Sequence, residues 1–335
     1  NDEGALKTRG KGFVASLLQR MHDFEHETMP SFDLIEYDDL HDSSDIHPSE
    51  WGKIAFDIRK NYDKYDGFLI LHGTDTLVYT ACALSMMLQD LTKAVVLTGG
   101  CLPLTDPTSD STRHLTLGLL FACEPFLCEV CIFFADTLLR GNCAVQIRND
   151  NLAFETPHYP RLAKASAVTY GFSLRKENCK RQPKRQMSVP NSTFCEQVIS
   201  LQIDVNSDFE AINSLIASMK VTHIKRVKEL LAQKKIRKAD ADNMLKPDIP
   251  HSLVCLETHP FTLESENLLQ RLLVLGTSAG QSGVLILINA MSLDGSLYVP
   301  ERKTRRQALL LKSIINDTPN LILVKGVLMT KEVSL

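Results

Sequence analysis

Apolar runs alternate with amphipathic segments along the first half of the chain. Three short runs are predicted as strands buried on both faces of a sheet: residues 67–71, 94–97 and 130–134. Longer segments with helical spacing of apolar residues are predicted as helices: residues 51–62, 76–91 and 111–122. A further strand is predicted at residues 32–37. Strands that alternate with helices of this length are typical of right-handed crossovers in a parallel sheet.

The same alternation returns in the second half, after a proline-punctuated break at residues 151–190. Strands are predicted at residues 197–203, 253–256, 284–288 and 321–324. Helices are predicted at residues 208–219, 263–275 and 305–315. The sequence therefore predicts an α/β protein with two domains in series. We place an N-terminal domain at residues 1–155, a basic inter-domain linker at 156–195 and a C-terminal domain at 196–335, with a basic insertion at about 220–247.

Composition narrows the class of protein. The 335 residues are 44% hydrophobic and 23% charged, which is typical of a globular chain with room for two cores. The net charge of −3 disfavours nucleic-acid binding over the whole surface but allows local basic patches. No apolar run approaches the roughly 20 residues of a membrane span. Nine scattered cysteines favour a reducing, intracellular compartment, the cytoplasm or the mitochondrial matrix, over a disulfide framework.

The most informative motif is the segment His72–Thr76, which follows a predicted buried strand and precedes a helix. Ligand-binding groups in open parallel sheets gather beyond the carboxyl ends of the strands. The same positions suit helix capping by Thr74 or Asp75, and the pattern alone leaves both interpretations open. Hydroxyls at Ser43 and Thr98 also stand near predicted element ends, which points to a small polar ligand without naming it.

Residues 66–77, Asp-Gly-Phe-Leu-Ile-Leu-His-Gly-Thr-Asp-Thr-Leu, resemble a segment of the type I L-asparaginases. Further segments fit the same family in order and spacing: Asp42–Ile46 with Pro48 and Trp51, Val95–Pro103, Ser109–Asp110 and Leu139–Asn142. The resemblance is specific from about residue 32 to 142 and is a matter of pattern in the second half, where it includes residues 329–332.

This resemblance implies an asparaginase-like fold, with a larger N-terminal parallel-sheet α/β domain and a smaller C-terminal α/β domain. It also implies a homo-oligomer whose sites lie at subunit interfaces. The family hydrolyses the side-chain amide of asparagine, and no cofactor or metal is expected. By resemblance Thr74 is the assisting catalytic threonine, Asp75 holds the substrate's amino group, and Ser43 binds its carboxylate, so all three are expected to bind substrate.

Other parts of the family's machinery differ. The relay lysine of the family falls at Gln146, whose neutral amide cannot exchange a proton as an amine does. Arg148 is a poor substitute because a guanidinium stays protonated. Cys101 stands where glutamine is usual, and residues 259–263 replace a glycine- and asparagine-rich loop. The nucleophile is expected in a Thr-Gly-Gly-Thr-Ile-Gly segment that follows the first strand of the sheet, and residue 1 of this sequence falls after that place.

We therefore interpret the chain as an asparaginase-like pseudoenzyme in which Thr74 and Asp75 are vestigial catalytic residues. Its expected role is that of a structural or assembly component of a larger complex, such as a ribonucleoprotein. The alternative is an active L-asparaginase whose nucleophile segment is missing from these residues.

Two basic segments are the candidate contacts with RNA or with partner proteins. Their cations are Arg175, Lys176, Lys180, Arg181, Lys184 and Arg185 in one, and Lys225, Arg226, Lys228, Lys234, Lys235 and Arg237 in the other. The second segment has apolar residues at helical spacing, so a solvated surface helix is the competing interpretation.

Three further motifs are given structural interpretations. Residues 276–280 match the nucleophile-elbow pattern, but a helix precedes them and a strand follows, so we predict a loop. Cys128 and Cys131 are predicted as core residues because no second cysteine pair completes a zinc site. His114 is predicted as a packed or solvated residue of an apolar helix.

Overall fold

The computed structural model describes residues 10–21, 24, 26–27, 29–38, 42–147, 153–157, 159–166, 171–188, 190, 198–246, 252–257, 266–282, 284–289 and 321–324. The chain divides into two compact units, Asn1–Thr193 and Phe194–Leu335. Each unit is described by itself.

The first unit is built on a six-stranded mixed sheet. Its helices are α1 (Phe13–Leu18), α2 (Pro48–Asn61), α3 (Leu77–Met87) and α4 (Ser111–Ala122). Its strands are β1 (Phe68–Leu71), β2 (Val95–Thr98), β3 (Val130–Phe134), β4 (Thr137–Arg140), β5 (Val145–Gln146), β6 (Phe154–Glu155), β7 (Ala163–Ala165) and β8 (Phe172–Leu174). The strand order in the main sheet is β1-β2-β3-β4-β7-β8, and β5 and β6 form a separate two-stranded ribbon.

The main sheet is mixed, and its first half is parallel, as the alternation of strands and helices predicts. β1, β2 and β3 are parallel, whereas β4, β7 and β8 continue the sheet in antiparallel fashion. The direction reverses in a two-residue turn between β3 and β4, where Ala135 and Asp136 both have positive φ, of 46° and 59°. Two left-handed residues in a two-residue loop match the right-handed twist of the strands they join.

Two predictions in this unit are wrong. Residues 32–37 form no strand, and side chains hold this stretch instead: the Glu36 carboxylate accepts from the Gly12 amide, and the Asp33 carboxylate from the Tyr65 hydroxyl. Part of the predicted linker at 156–195 is also not a linker, because β7 and β8 belong to the sheet. These strands have only three residues each, too few to show a period of two.

The core of the first unit lies between the sheet and α4. β2 and β3 are buried along their whole length, and the Phe121 ring of α4 packs at a tilt against the Phe133 ring of β3, with ring centroids 5.0 Å apart. Cys131 and His114 are both buried, the latter against Phe134, which confirms the packed interpretations of the two residues. β1 is less buried than predicted, since Leu71 is 42% exposed.

The second unit contains a parallel four-stranded sheet in the order β12-β11-β10-β9. Its strands are β9 (Val198–Gln202), β10 (Ser252–Glu257), β11 (Val284–Asn289) and β12 (Leu321–Val324). Its helices are α5 (Phe209–Ala232), α6 (Lys238–Met244) and α7 (Glu266–Ser282). Buried residues of α5, β10 and α7 form one core cluster, which includes Ile216, Leu256 and Leu272.

The predicted loop at residues 276–280 is wrong, because α7 continues through it to Ser282. Leu268, Leu272, Leu275 and Ala279 all lie in the core, and this spacing keeps one helix face buried beyond the expected end. The predicted helix at 305–315 and the family-like residues 329–332 lie outside the described residues.

Candidate functional site

Ser43 and Asp75 meet beyond the carboxyl end of β1, as the sequence predicts for a ligand site. The Ser43 hydroxyl donates to Oδ2 of Asp75 at 3.4 Å, and the Thr76 hydroxyl donates to the Ser43 carbonyl at 2.5 Å. Ser43 is buried, Thr74 is half-buried and Asp75 is exposed. The site therefore offers a carboxylate at the surface and a hydroxyl beneath it.

The close approach of the two segments requires glycine at position 73. A Cβ on Gly73 would lie 2.4 Å from the Ser43 hydroxyl oxygen, closer than van der Waals contact permits. On the other side, Asp42 fixes the single helical turn Ser43–Asp45 by accepting from the Ser44 amide at 3.0 Å and from the Ser44 hydroxyl at 2.9 Å. These two hydrogen bonds favour the charged carboxylate and lower the pKa of Asp42.

A directed chain of hydrogen bonds holds the beginning of this turn. His72 Nδ1 lies 2.6 Å from the Gly73 carbonyl, which only accepts, so Nδ1 carries the proton. His72 Nε2 then accepts from the Thr80 hydroxyl at 2.9 Å, and that hydroxyl accepts from the Trp51 indole at 2.9 Å. Burial lowers the pKa of His72 and outweighs the opposing hydrogen bond to Gly73. His72 is therefore a neutral, fully engaged ring that orients the turn.

Asp110, which directly precedes α4, and His114 of α4 organise the glycine turn that follows β2. The Asp110 carboxylate accepts from the amides of Cys101 and Leu102 at 3.1 and 3.2 Å. His114 Nδ1 donates to the Gly99 carbonyl at 2.8 Å, and its Nε2 accepts from the Ala135 amide at 3.1 Å. The sequence alone assigned no such role to either residue. For Asp110, its place in a segment that resembles the family could have indicated a role near the site. For His114, which lies in an apolar helix, the sequence contains no such indication.

Gln146 lies on a separate element, the ribbon of β5 and β6, where it pairs with Phe154. The preceding turn, Gly141–Cys143, packs against α3, the helix that follows the His72–Thr76 turn. A Cβ on Gly141 would lie 2.9 Å from the Val130 carbonyl oxygen and 3.2 Å from the Ala81 methyl, so the fit is tight. Gln146 is half-buried, and Arg148 lies outside the described residues.

The twelve predicted basic residues are not gathered in one place. Those from Arg175 to Arg185 follow β8 in the first unit, and those from Lys225 to Arg237 lie in α5 or just before α6 in the second. All are exposed except Lys180, which is half-buried and whose amide donates to Glu129. Lys176 lies over the Phe126 ring, and Arg237 pairs with Asp240.

Metal and membrane sites are not found in the part of the chain that the structure describes. Within it, no group of three or more His, Cys, Asp or Glu side chains is arranged to hold a metal ion. Among the same residues, no helix has the length and apolar character that crossing a bilayer requires. The eight cysteines in the described ranges are free thiols.

The comparisons with known proteins agree on one family. The family model "Asparaginase, N-terminal" matches residues 1–177. L-asparaginase 1 of Escherichia coli is 42% identical over 173 residues, which is 51% of this chain and 50% of that protein. One component of the glutamyl-tRNA(Gln) amidotransferase of Pyrococcus horikoshii is 45% identical over 74 residues, 22% of this chain and 17% of that protein. The chain spans at most about half the length of these curated relatives.

A solved structure resembles nearly the whole chain. The crystal structure of L-asparaginase I from Vibrio cholerae aligns with a TM-score of 0.71 and 28% identity, covering 96% of this chain and 85% of that one.

Proposed function

The chain belongs to the asparaginase family, and we propose that it is a non-hydrolysing member that serves as a structural or assembly component of a larger complex. The family and the α/β asparaginase-like fold are the premise. The loss of hydrolysis and the assembly role are the proposal.

The observation that carries the proposal is the glutamine at position 146. By family resemblance this position supplies a lysine that exchanges protons with the catalytic set, and an amide has neither the charge nor the basicity for that exchange. The histidine closest in sequence to Asp75 is no substitute, since both ring nitrogens of His72 are engaged. Losing one member of a catalytic set costs on the order of 10⁴-fold in rate by analogy with serine-protease triads.

We propose that the site retains recognition of an amino acid. The exposed Asp75 carboxylate suits a ligand ammonium group, and the Ser43 hydroxyl and Thr74 suit a ligand carboxylate. The Ser43–Asp75 contact, the tight Gly73 and the oriented His72 support this, because together they hold the site in one shape before a ligand arrives.

The assembly role is supported by the two exposed basic segments and by the relative that is itself one component of a multi-chain amidotransferase. We propose protein partners, with RNA contacted through basic residues, and homo-oligomerisation as in family members. The free thiols favour a reducing compartment, the cytoplasm or the mitochondrial matrix.

The proposal is tested by measuring binding and hydrolysis on the natural full-length protein. Calorimetric titration with L-aspartate should give binding that Asp75→Ala abolishes and that Lys60→Ala, an exposed change in α2, leaves intact. Ammonia release from L-asparagine should stay at the rate of buffer. Release at the rate of an active asparaginase would overturn the proposed loss of hydrolysis.

The second candidate function is an active L-asparaginase that converts L-asparagine to L-aspartate and ammonia. The specific observation in its favour is the 42% identity to the Escherichia coli enzyme. Ammonia release by the parent protein separates the two functions, and Gln146→Lys shows whether the relay is the only damaged part. If it is, this change raises ammonia release by orders of magnitude. Under our proposal it has little effect, because Cys101 and residues 259–263 also depart from the family pattern.

A further inference from the structure

The basic residues after β8 are held in place by a buried ion pair. Arg140 Nε donates to Oε2 of Glu129 at 2.6 Å, and the two side chains are only 17% and 1% exposed. The same pair fastens the basic segment: the Glu129 carboxylate accepts from the Lys180 amide at 2.9 Å, and Arg140 Nη2 donates to the Asn178 carbonyl at 2.7 Å. The segment is therefore a preformed surface.

Further contacts fix both ends of the segment. The Arg175 amide donates to the Leu162 carbonyl at 2.8 Å, and Asn178 Nδ2 donates to the Arg161 carbonyl at 3.3 Å. Beyond the last cations, Met187 is buried at 6% exposure. Six cations on this frame are exposed: Arg161, Arg175, Lys176, Arg181, Lys184 and Arg185. Because Arg140 already neutralises Glu129, that carboxylate does not offset them.

Two exposed aromatic side chains lie against cations of this part of the first unit, one against Lys176 of the segment and one against Arg140 of the ion pair. Phe126 is 49% exposed, and the Lys176 ammonium lies 3.5 Å from its ring centroid. Tyr159 is 37% exposed, and the Arg140 guanidinium carbon lies 5.8 Å from its ring centroid. Cations interleaved with exposed aromatic rings are typical of surfaces that bind the phosphates and stack the bases of a single strand. The basic part of the second unit differs, since residues 210–246 contain no Phe, Tyr or Trp.

The location of the surface separates it from the amino-acid site. Glu129 directly precedes β3, so the segment lies at the amino end of the parallel strands, whereas the His72–Thr76 turn follows the carboxyl end of β1. A five-residue strand spans about 16 Å at roughly 3.3 Å per residue. Ligands at the two ends therefore do not compete for the same groups.

We propose that residues 175–185, with Arg161, Phe126 and Tyr159, form a binding surface for single-stranded nucleic acid, opposite the amino-acid site. We call this surface the basic edge. The inference specifies the class of partner in the proposed assembly role, and it rests on that role. An acidic protein segment would use the cations but has no need of the aromatic rings.

The test measures fluorescence anisotropy of a labelled 20-nucleotide oligouridine with the natural full-length protein at several salt concentrations. The triple variant R175Q/R181Q/R185Q should weaken binding at least tenfold and flatten the slope of log affinity against log salt by about 2, at about 0.7 per lost phosphate contact. The matched variant K225Q/K228Q/K234Q removes the same charge from the second unit and should change the affinity less than twofold. Saturating L-aspartate should leave the affinity unchanged.

Phe126→Leu distinguishes nucleic acid from an acidic protein. It keeps an apolar side chain but removes the ring, and should weaken oligouridine binding by about fivefold or more, because one base stack contributes on the order of 1 kcal/mol or more. The proposal is overturned if oligouridine binding is undetectable or if both triple variants lose the same affinity. It is also overturned if poly-L-glutamate binds as tightly as oligouridine and Phe126→Leu does not change the affinity. Ammonia release from the same preparation reports on hydrolysis separately, so failure of the basic edge and failure of the proposed function remain distinguishable.

Discussion

At His72, burial and hydrogen bonding decide what a titratable side chain can do. The ring is neutral because burial lowers its pKa, and its two nitrogens point one proton at Gly73 and one lone pair at Thr80. Such a ring can position a backbone but cannot shuttle a proton while these bonds persist. The residues that give the turn its shape are thus distinct from those expected to touch a ligand.

Thr80→Val tests this positioning role. Valine has nearly the shape of threonine but removes the buried hydroxyl that Trp51 and His72 share, so two half-buried polar groups lose this hydrogen bond. We expect the free energy of unfolding to fall by about 1–3 kcal/mol and L-aspartate to bind more weakly. Thr80→Ser keeps the hydroxyl and should restore most of both, as measured by denaturant titration and calorimetry. If Thr80→Val equals the parent protein in stability and in L-aspartate affinity, the positioning role of His72 is contradicted.

His72 and His114, both with a lowered pKa, predict the sign of a pH effect on stability. Burial lowers the pKa of His72 and of His114, so below about pH 6.5, the pKa of an unfolded histidine, the unfolded chain binds more protons than the folded one. Stability should therefore decrease as pH falls from about 7.5 to about 5.5. Nuclear magnetic resonance should show both rings titrating below about pH 6.5. Titration above about pH 7 would reverse the sign and refute the assignment.

Among the elements, predictions from sequence succeeded where an element has its own periodicity. α4 and β3 match their predicted ranges, and α2, α3 and β2 differ from theirs by a few residues at the ends. The short antiparallel strands β7 and β8 carry no comparable signal, and the β3–β4 turn uses Ala135 and Asp136 in place of the glycine that usually marks it. Ser43 and Asp75 were expected together only because of a family resemblance, since no local pattern links residues 32 positions apart.

Gly73→Ala tests the contact between the two elements of the site. The added Cβ would lie 2.4 Å from the Ser43 hydroxyl oxygen and must displace it from Asp75. Overpacking of this kind costs about 1–3 kcal/mol, and L-aspartate should bind at least tenfold more weakly, an effect of about 1.4 kcal/mol. Gly10→Ala is the matched control, since no atom lies within 4 Å of its Cβ. If both variants bind L-aspartate equally well, ligand binding does not depend on the close packing of Gly73 against Ser43.

At the scale of the whole molecule, the Ser43–Asp75 contact and the basic segment 175–185 belong to opposite ends of the sheet in the first unit. The sequence predicted two α/β domains and two basic segments, but not that β7 and β8 extend the first sheet toward one of those segments. Nor did it predict the Glu129–Arg140 pair that fixes the segment, because the two residues pair across the β3–β4 hairpin. Apart from the linker segment that β7 and β8 occupy, the domain boundaries chosen from sequence remain predictions.

The central claim is that this member of the asparaginase family keeps a shaped amino-acid site and has lost hydrolysis through several changes, Gln146 among them. The most direct measurement is ammonia release from L-asparagine by the natural full-length protein, with the Gln146→Lys variant and an active asparaginase alongside it. The account predicts that the parent and Gln146→Lys both release ammonia no faster than buffer, while the active enzyme does so readily. Ammonia release by the parent protein at the active enzyme's rate would contradict it.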